Sequence, residues 1–351
     1  MKTYTLIAAL CCLLLPAMQR QASAQSSDQV YVLKGSPSNG IVDAEQTSSS
    51  EVVIDVQGTI RRIPVTDIRR VTFVDEPIEM RRARDSILTG QIEQGYAELR
   101  KIDANSLKRP IVKADLQYYL AYCQGKLALS GGGDKAAAVR AMVAFDRANA
   151  SSFHHFVAAE LIGDLAVALG SYENATRYYG DIAKSGPSAD YKMRGAVLLA
   201  RALLSQDKFA EAQTQFDAVI NSSVDTPAAR QQKLVAQAGK AVCLAGLDTP
   251  DEGIKLIEEL ILNNSPDDDK ELFGRAYNAL GTCYLKAGKQ DEALMAFLHV
   301  DVLFYANADV HAEALYHLSK LWAAIKKPDR ANDARSLLND RYAGSSWSKK
   351  R

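Results

Sequence analysis

Apolar and small residues recur at helical spacing on both sides of a turn between residues 273 and 300. The first set is Tyr277, Leu280, Gly281 and Tyr284, and the second set is Ala293, Phe297 and Val300. Gly288 separates the two sets and ends the first pattern. The stretch therefore predicts two amphipathic helices joined by a tight turn. Because one such pair cannot bury its apolar face alone, we expect neighbouring pairs of the same kind.

The position of Gly281 is filled by a small residue again and again along the chain. The seven markers are Ala83, Ala121, Gly163, Ala200, Gly239, Gly281 and Ser319, each following the previous one after roughly 40 residues. The second helices carry matching pairs, at Ala141 and Phe145, Ala175 and Tyr179, Ala212 and Phe216, and Ala293 and Phe297. A small side chain lets the two helices of a pair approach closely. The near-constant spacing predicts about seven stacked helix pairs over residues 77–345.

The central pair resembles the tetratricopeptide repeat family. The family pattern of a bulky residue, Leu-Gly, Tyr, a turn Gly, Ala and an aromatic residue is filled by Tyr277, Leu280, Gly281, Tyr284, Gly288, Ala293 and Phe297. The resemblance implies a mainly α protein built as a right-handed α-solenoid, with a concave groove that binds a protein or an extended peptide. The spacing of the markers exceeds the family's period of ~34 residues and predicts longer loops.

Residues 28 to 75 carry a different pattern, in which short β-branched runs alternate with turn signals. Predicted strands cover residues 30–33, 41–42, 51–56, 59–64 and 70–74, with a hairpin turn at Gln57-Gly58. We expect a small β-rich module over residues 25–76, folded as a curled antiparallel sheet similar to the Sm-like or SH3-like barrels. It could dock the solenoid or add a second contact.

The N-terminus predicts a secretory signal peptide over residues 1–24. The apolar run from Leu6 to Met18 is too short to span a membrane and precedes the small-residue site Ala22-Ser23-Ala24. We therefore expect no transmembrane segment and an exported protein of the periplasm, the cell envelope or the medium. Lipid attachment at Cys11 is a second, weaker alternative, because Leu10 stands where a small residue would precede a lipidated cysteine. Residues 346–351 form a polar tail.

Composition argues for a globular protein and against a nucleic-acid partner. Among the 351 residues 47% are hydrophobic and 24% are charged, and the formal net charge is zero. A neutral, exported chain offers no bulk electrostatic attraction for nucleic acid.

No set of residues predicts catalysis, a cofactor or a metal, so we expect a protein that is not an enzyme. The cysteines that follow the signal, Cys123, Cys243 and Cys283, are not at ligand spacing and are interpreted as small buried thiols. The five histidines do not share a helix face in pairs and are interpreted as hydrogen-bonding residues within or between repeats.

The family resemblance also implies which residues face the groove, namely those six and three positions before each marker and one after it. The resulting set is Tyr118, Tyr122, Glu160, Asp164, Arg194, Arg201, Lys233, Lys240, Arg275, Asn278, Tyr316 and Lys320. It predicts a groove that is aromatic, then acidic, then basic over three or four units. The alternative is an ordinary solvated face whose charges pair with neighbouring units.

These patterns favour a non-enzymatic scaffold of a cell-envelope assembly that binds a partner, possessing acidic groups or a C-terminal carboxylate, on the basic part of the groove. An accessory or carrier module that binds a small ligand or polysaccharide for an envelope enzyme is the alternative. A pocket with convergent polar groups would favour the carrier, and a long open groove would favour the scaffold. A structural spacer would preserve no groove. The partner's identity and the oligomeric state are not predicted.

Overall fold

A computed structural model describes residues 27–350. The predicted signal peptide and the alternative at Cys11 lie outside the described residues. Within them, none of the helices combines the length and the apolar character that a membrane span requires.

The chain begins with a five-stranded antiparallel sheet in the order β4-β3-β2-β1-β5. The strands are β1 Asp28–Val32, β2 Ser38–Val42, β3 Glu51–Val56, β4 Thr59–Pro64 and β5 Ile68–Thr72. All five predicted strands are present. The predicted hairpin turn is confirmed between β3 and β4, where Gln57 and Gly58 both adopt positive φ angles of 54° and 86°.

The sheet is open, and the expectation of a closed Sm-like or SH3-like barrel is wrong. β4 and β5 are the two edges of the described sheet and do not pair with each other. Helices cover its apolar face instead: Val30, Ile54 and Phe73 share one buried core with Met80 and Leu116 of the first helices. Since helices bury that face, the sheet does not need to close on itself.

Fifteen α-helices follow the sheet in the described chain. The first fourteen pack as seven antiparallel pairs, each formed by two helices that are consecutive in sequence. They are α1 Ile78–Leu88, α2 Ile92–Leu99, α3 Pro110–Leu129, α4 Lys135–Ala148, α5 His155–Ala168, α6 Tyr172–Ser185, α7 Ala189–Leu204, α8 Phe209–Ile220, α9 Pro227–Gly246, α10 Pro250–Asn263, α11 Lys270–Lys286, α12 Gln290–Leu303, α13 Ala308–Ala324, α14 Pro328–Tyr342 and α15 Ser346–Lys349. The predicted array of helix pairs is confirmed. The tail predicted to be merely polar contains the short helix α15.

Close approach within a pair depends on the small marker residue. A Cβ atom added to Gly281 on α11 would lie 2.6 Å from the ring of Phe297 on α12, and Gly163 faces the ring of Tyr179 in the same way. In the pair α3–α4 the fully buried residues of the second helix are Ala138 and Met142, while Ala141 is only half-buried.

The fifth marker is Ala241 rather than Gly239. In the central pair, Gly281 is matched on the second helix by the buried Ala293 and Phe297. Ala241 is matched at the same two spacings by the buried Gly253 and Ile257. Gly239 faces Phe216 of the preceding helix α8. Gly239 is therefore small because it packs against the preceding pair. The repeat register of α9 is shifted by two residues from the one that the sequence predicted.

One buried ion cluster joins the sheet to the helices, and a second joins α1 to α3. Arg109 at the start of α3 donates two hydrogen bonds of 2.8 Å to Asp28 of β1, whose carboxylate also accepts from the backbone of Val42 and Val74. Arg84 on α1 is 1% exposed and contacts Asp115 of α3 at 2.5 Å. A buried charge is tolerated only when it is paired and hydrogen-bonded, so these contacts fix the sheet against α3 and α3 against α1.

Candidate groove site

A cavity of about 490 Å³ lies between the third to seventh helix pairs. First helices supply most of its wall, through Leu198, Arg201 and Ala202 of α7, Val235, Ala238 and Val242 of α9, Arg275, Asn278 and Thr282 of α11, and Glu313, Tyr316 and His317 of α13. On α9 and α11 the wall residues follow the spacing i, i+3, i+7, which places them on one helical face.

On α9 and α11 the offset rule used for the sequence selects the wall correctly, provided that α9 is counted from Ala241. Counted from Gly281, it gives Arg275, Asn278 and Thr282, and all three line the cavity. Counted from Ala241, it gives Val235, Ala238 and Val242, which line it as well. The two lysines selected from Gly239 do not.

Four of the twelve residues selected from the sequence line the cavity: Arg201, Arg275, Asn278 and Tyr316. The other eight lie outside its wall. Lys240 is among them, and its ammonium group lies 2.7 Å from Asp217 on α8. Lys233 on α9 is half-buried and Lys320 on α13 is exposed, 5.9 Å from the ring of Tyr316.

The residues selected from the second, third and fourth units are engaged with one another or with the core. Arg194 of α7 donates to Glu160 of α5 at 2.8 Å and 2.5 Å. Asp164 accepts a hydrogen bond of 2.7 Å from the hydroxyl of Tyr179, a cavity residue. Tyr118 and Tyr122 complete the set: Tyr118 is 4% exposed and stacks on His154 at 3.6 Å, and Tyr122 is half-buried.

A charged cluster forms one part of the cavity wall. Arg201 donates to Asp309, Nη2 to Oδ2, at 3.0 Å, and Nη1 of Arg275 lies 4.0 Å from the same oxygen. Glu271 at the start of α11 holds the other side of Arg275 at 2.7 Å. Two guanidinium groups from different units therefore converge on one carboxylate.

Glu313 lies beside this cluster, and the pKa of its carboxyl group is close to neutral pH. Burial, together with the negative charge of Asp309, raises the pKa of Glu313 to about 7. The neighbouring guanidinium group of Arg275 and burial lower the pKa of Arg201. An arginine nevertheless stays protonated in proteins, so the cavity keeps its two fixed positive charges.

Asn278 carries an unused hydrogen-bond acceptor. It is 2% exposed, and its Nδ2 donates to the carbonyl of Val310 at 2.8 Å and to Oε2 of Glu313 at 3.1 Å. Its Oδ1 has no hydrogen-bond partner among residues 27–350. Buried polar atoms are normally paired, so this oxygen is an unsatisfied acceptor buried in the cavity wall.

Aromatic rings form another part of the cavity wall. His317 stacks on Phe297 with ring centroids 4.5 Å apart and lies 5.7 Å from Trp347 of α15. Burial lowers the pKa of His317 to about 4, so this imidazole is neutral at pH 7. Tyr316 lies 5.6 Å from Trp347 and completes an aromatic corner.

Three cysteines and two histidines outside the cavity have structural contacts. The interpretation of Cys123, Cys243 and Cys283 as buried thiols is confirmed, and burial raises the pKa of each to about 12. His154 and His155 lie 2.7 Å from Asp115 and Asp146, contacts that join neighbouring helix pairs. Within residues 27–350 no cluster of His, Cys, Asp and Glu could hold a metal ion.

Sequence reasoning missed Asp309, Glu313, His317 and the tail residues Trp347 and Lys350. Glu313 was within reach, since it stands six residues before the marker Ser319. Asp309 carried only the signal of an acid in the first turn of a helix, which is commonplace. A tryptophan in an otherwise polar tail was the one sequence sign that residues 346–350 pack against something.

Three solved structures show what the fold is similar to. A tetratricopeptide repeat protein from Parabacteroides merdae has a TM-score of 0.57 and 14% identity, covering 77% of this chain and 96% of that one. The apo quorum sensor NprR from B. thuringiensis has a TM-score of 0.55 and 15% identity, covering 75% and 74%. A Rap protein complexed with Competence and Sporulation Factor has a TM-score of 0.53 and 12% identity, covering 77% and 76%.

The helical part has a tetratricopeptide-like fold. At these identities the likeness concerns the fold alone. No protein-family model matches the chain, and no curated protein has a significant sequence match to it.

Proposed function

We propose that this protein is a non-enzymatic scaffold that binds an acidic segment of a partner protein in its concave groove. The observation that carries the proposal is the convergence of Arg201 and Arg275 on the carboxylate of Asp309. Asp309 is an internal carboxylate at a site where two positive charges meet, so an incoming Asp, Glu or C-terminal carboxylate can take the same place.

The wall beside this cluster suits an extended chain. A peptide backbone offers one N–H and one carbonyl at nearly every residue, and the unpaired Oδ1 of Asn278 would accept from such an N–H once its side chain turns toward the cavity. Tyr316 and His317 provide the aromatic surface against which an apolar side chain packs. The complex between the Rap protein of similar fold and its factor agrees with this use of the fold.

A random twelve-residue peptide library displayed on phage tests the proposal. The purified chain is expected to select peptides enriched in Asp and Glu, and the selected peptides should lose at least tenfold affinity for the double variant Arg201→Glu, Arg275→Glu. Arg230→Glu is the matched control, because Arg230 pairs with Asp225 outside the cavity. Selected peptides without acidic residues, or equal affinity for wild type and double variant, would contradict it.

We further propose that the scaffold works in the cell envelope. The support is the apolar run and small-residue site at the N-terminus of the sequence. Fractionation of the cells that produce the protein, followed by N-terminal sequencing, is expected to find an envelope or periplasmic protein beginning at Gln25. A cytoplasmic protein that keeps Met1 would contradict this part of the proposal.

A carrier of a small carboxylate is the second candidate function, and the cavity itself favours it. Its volume of about 490 Å³ lies in the ordinary range for small-molecule sites, and polar groups of Arg201, Arg275 and Asn278 converge on it. This function predicts that a small di- or tricarboxylate such as citrate raises the melting temperature of wild type but not of Arg275→Gln. If small carboxylates leave the melting temperature unchanged and the phage library yields acidic peptides, the scaffold is favoured.

A further inference from the structure

The C-terminal segment folds back into the groove that the seven helix pairs build. After α14 the chain turns, and the hydroxyl of Ser345 accepts from the backbone of Trp347 to start α15. The indole ring of Trp347 then lies 5.6 Å from Tyr316 and 5.7 Å from His317. The large apolar side chain of the tail is thus placed in the aromatic corner of the cavity.

The same segment reaches the opposite part of the array. The ammonium group of Lys349 donates to the carbonyl of Ala168, the last residue of α5, at 3.4 Å. Carbonyls at the end of a helix carry partial negative charge and favour a cation. Gly344 lies against Lys135 at the start of α4, since a Cβ atom there would stand 2.6 Å from the Lys135 ammonium. The tail therefore spans the groove from the seventh unit to the second and third units.

Charge complements the aromatic contact. The ammonium group of Lys350 lies 3.8 Å from the centroid of the Trp347 ring and 6.0 Å from that of Tyr316, within the range of a cation–π interaction. Its charge also acts on the buried carboxyl group of Glu313. The tail thus presents an aromatic residue and a cation to a corner made of aromatic rings and a carboxyl group.

We propose that residues 344–350 are an intramolecular ligand of the groove, and that an incoming partner must displace them. The inference rests on the proposed function, because Ser346, Trp347 and Lys350 form part of the wall of the cavity that a partner peptide would enter. The corner that Trp347 and Lys350 occupy is then a subsite for a segment that carries an aromatic residue next to a cation. A tail held by one short helix and a few side chains opens far more readily than the stacked pairs do.

The first experiment asks whether the tail is docked. The chain contains two tryptophans, so Trp322→Phe leaves Trp347 as the sole emitting indole. We expect Trp347 in the folded variant to be quenched by acrylamide at least threefold less than in urea, and Tyr316→Ala to remove that protection while the far-ultraviolet circular dichroism is unchanged. A Trp347 that is as accessible in the folded chain as in urea would overturn the inference.

The second experiment asks whether the tail competes. Trp347→Ala and Lys350→Ala together should raise the affinity of library-selected peptides about tenfold, and a saturating peptide should expose Trp347 of the Trp322→Phe chain to acrylamide. Arg341→Ala, at the exposed end of α14, is the control and should leave the affinity unchanged.

The outcomes separate the two proposals. Peptides that bind wild type and the tail variant equally would overturn the inference and leave the proposed function intact. If no peptide is selected by either chain, the proposed function fails, and a synthetic peptide of residues 343–351 decides the inference alone. Binding of that peptide to the tail variant, lost when its tryptophan is replaced by alanine, supports the inference, and no binding overturns it.

Discussion

The guanidinium group of Arg201 and the carboxylate of Asp309 lie 3.0 Å apart, although 108 residues separate them in the chain. Arg201 belongs to the fourth helix pair and Asp309 to the seventh, so the contact joins the two sides of the groove. The side chains of both residues remain partly exposed, 34% and 53%, and the contact is therefore open to exchange with a ligand.

Removing this internal carboxylate should strengthen the capture of acidic peptides. Asp309→Asn frees Arg201 and Arg275 from their shared partner, and we expect three- to tenfold tighter binding of an acidic library-selected peptide at low salt. Fluorescence anisotropy at two salt concentrations measures the change, which should shrink at high salt. Asp225→Asn, which frees the exposed Arg230 outside the cavity, is the control. Weaker or unchanged binding by Asp309→Asn would count against the carboxylate site.

The two basic residues Arg201 and Lys240 should behave differently when their charge is reversed. Arg201→Glu should weaken binding of an acidic peptide at least tenfold, because Arg201 lines the cavity. Lys240→Glu should leave the affinity within twofold and lower the stability instead, since the new carboxylate faces Asp217. Anisotropy titrations and urea unfolding of both variants separate the two effects. A large loss of affinity for Lys240→Glu would place this lysine in the groove.

The stability of the protein should depend on pH through Glu313. Its pKa of about 7 in the folded chain lies above its value in the unfolded chain, about 4.3, so the folded state keeps a proton that the unfolded state loses. The free energy of unfolding therefore falls as the pH rises through this window and stays reduced above it.

Glu313→Gln removes this penalty. We expect the variant to exceed wild type by roughly 2 kcal/mol at pH 8, and to match it at pH 4, where both carry a neutral side chain. Urea unfolding at the two pH values measures the difference. Glu259→Gln, exposed on α10, is the matched control. Equal stability of Glu313→Gln and wild type at pH 8 would show that Glu313 is ionised without cost.

A methyl group at Gly281 should be costly. It would meet the ring of Phe297 at 2.6 Å and force the two helices of the sixth pair apart. We expect Gly281→Ala to lower the free energy of unfolding by about 2 kcal/mol. Gly180→Ala is the control: Gly180 lies inside α6 with open space around it, so alanine should stabilise that helix by up to about 1 kcal/mol. Thermal and urea unfolding would contradict the account if both variants shifted in the same direction.

The packing of α3 against α1 and the start of α5 should depend on Asp115. Its carboxylate contacts Arg84 at 2.5 Å and His154 at 2.7 Å, and both the arginine and the aspartate are almost wholly buried. Asp115→Asn leaves a buried guanidinium group with less compensating charge, and a loss of about 3 kcal/mol is expected in urea unfolding. Asp85→Asn, at the exposed pair with Arg70, should cost less than about 1 kcal/mol. Equal costs would mean that burial does not set the strength of the cluster.

Local patterns predicted the helix pairs and the strands, because each depends on neighbours close in sequence. Gly281 and Phe297 lie on the two helices of one pair, and their spacing in the sequence was enough to predict those two helices and their close approach. The same reasoning chose the wrong marker in the fifth pair. Gly239, two positions before the true marker, is small because the ring of Phe216 in the preceding pair packs against it. That demand comes from packing between pairs, which a repeat pattern does not encode.

Features that depend on contacts between residues far apart in the sequence could not be predicted. The sheet has the strands of a small barrel, yet whether it closes is decided by α1 and α3, which compete for the same apolar face. Likewise, Arg201 was selected as a groove residue, but its partner Asp309 follows from the curvature of the whole array. Trp347 lies in a tail that carries no periodicity, so only its apolar surface hinted at burial.

The carboxylate of Asp28 constrains the order in which the parts of this protein can fold. It is the first residue of the first strand, is fully buried, and receives two hydrogen bonds from Arg109, 81 residues later. A chain that emerges from the ribosome or a translocation channel with its N-terminus first exposes this strand long before its last partner arrives. Strand β1 can therefore complete its hydrogen bonds only after the first residues of α3 have emerged. The N-terminal sheet is completed late in folding although it is synthesised early.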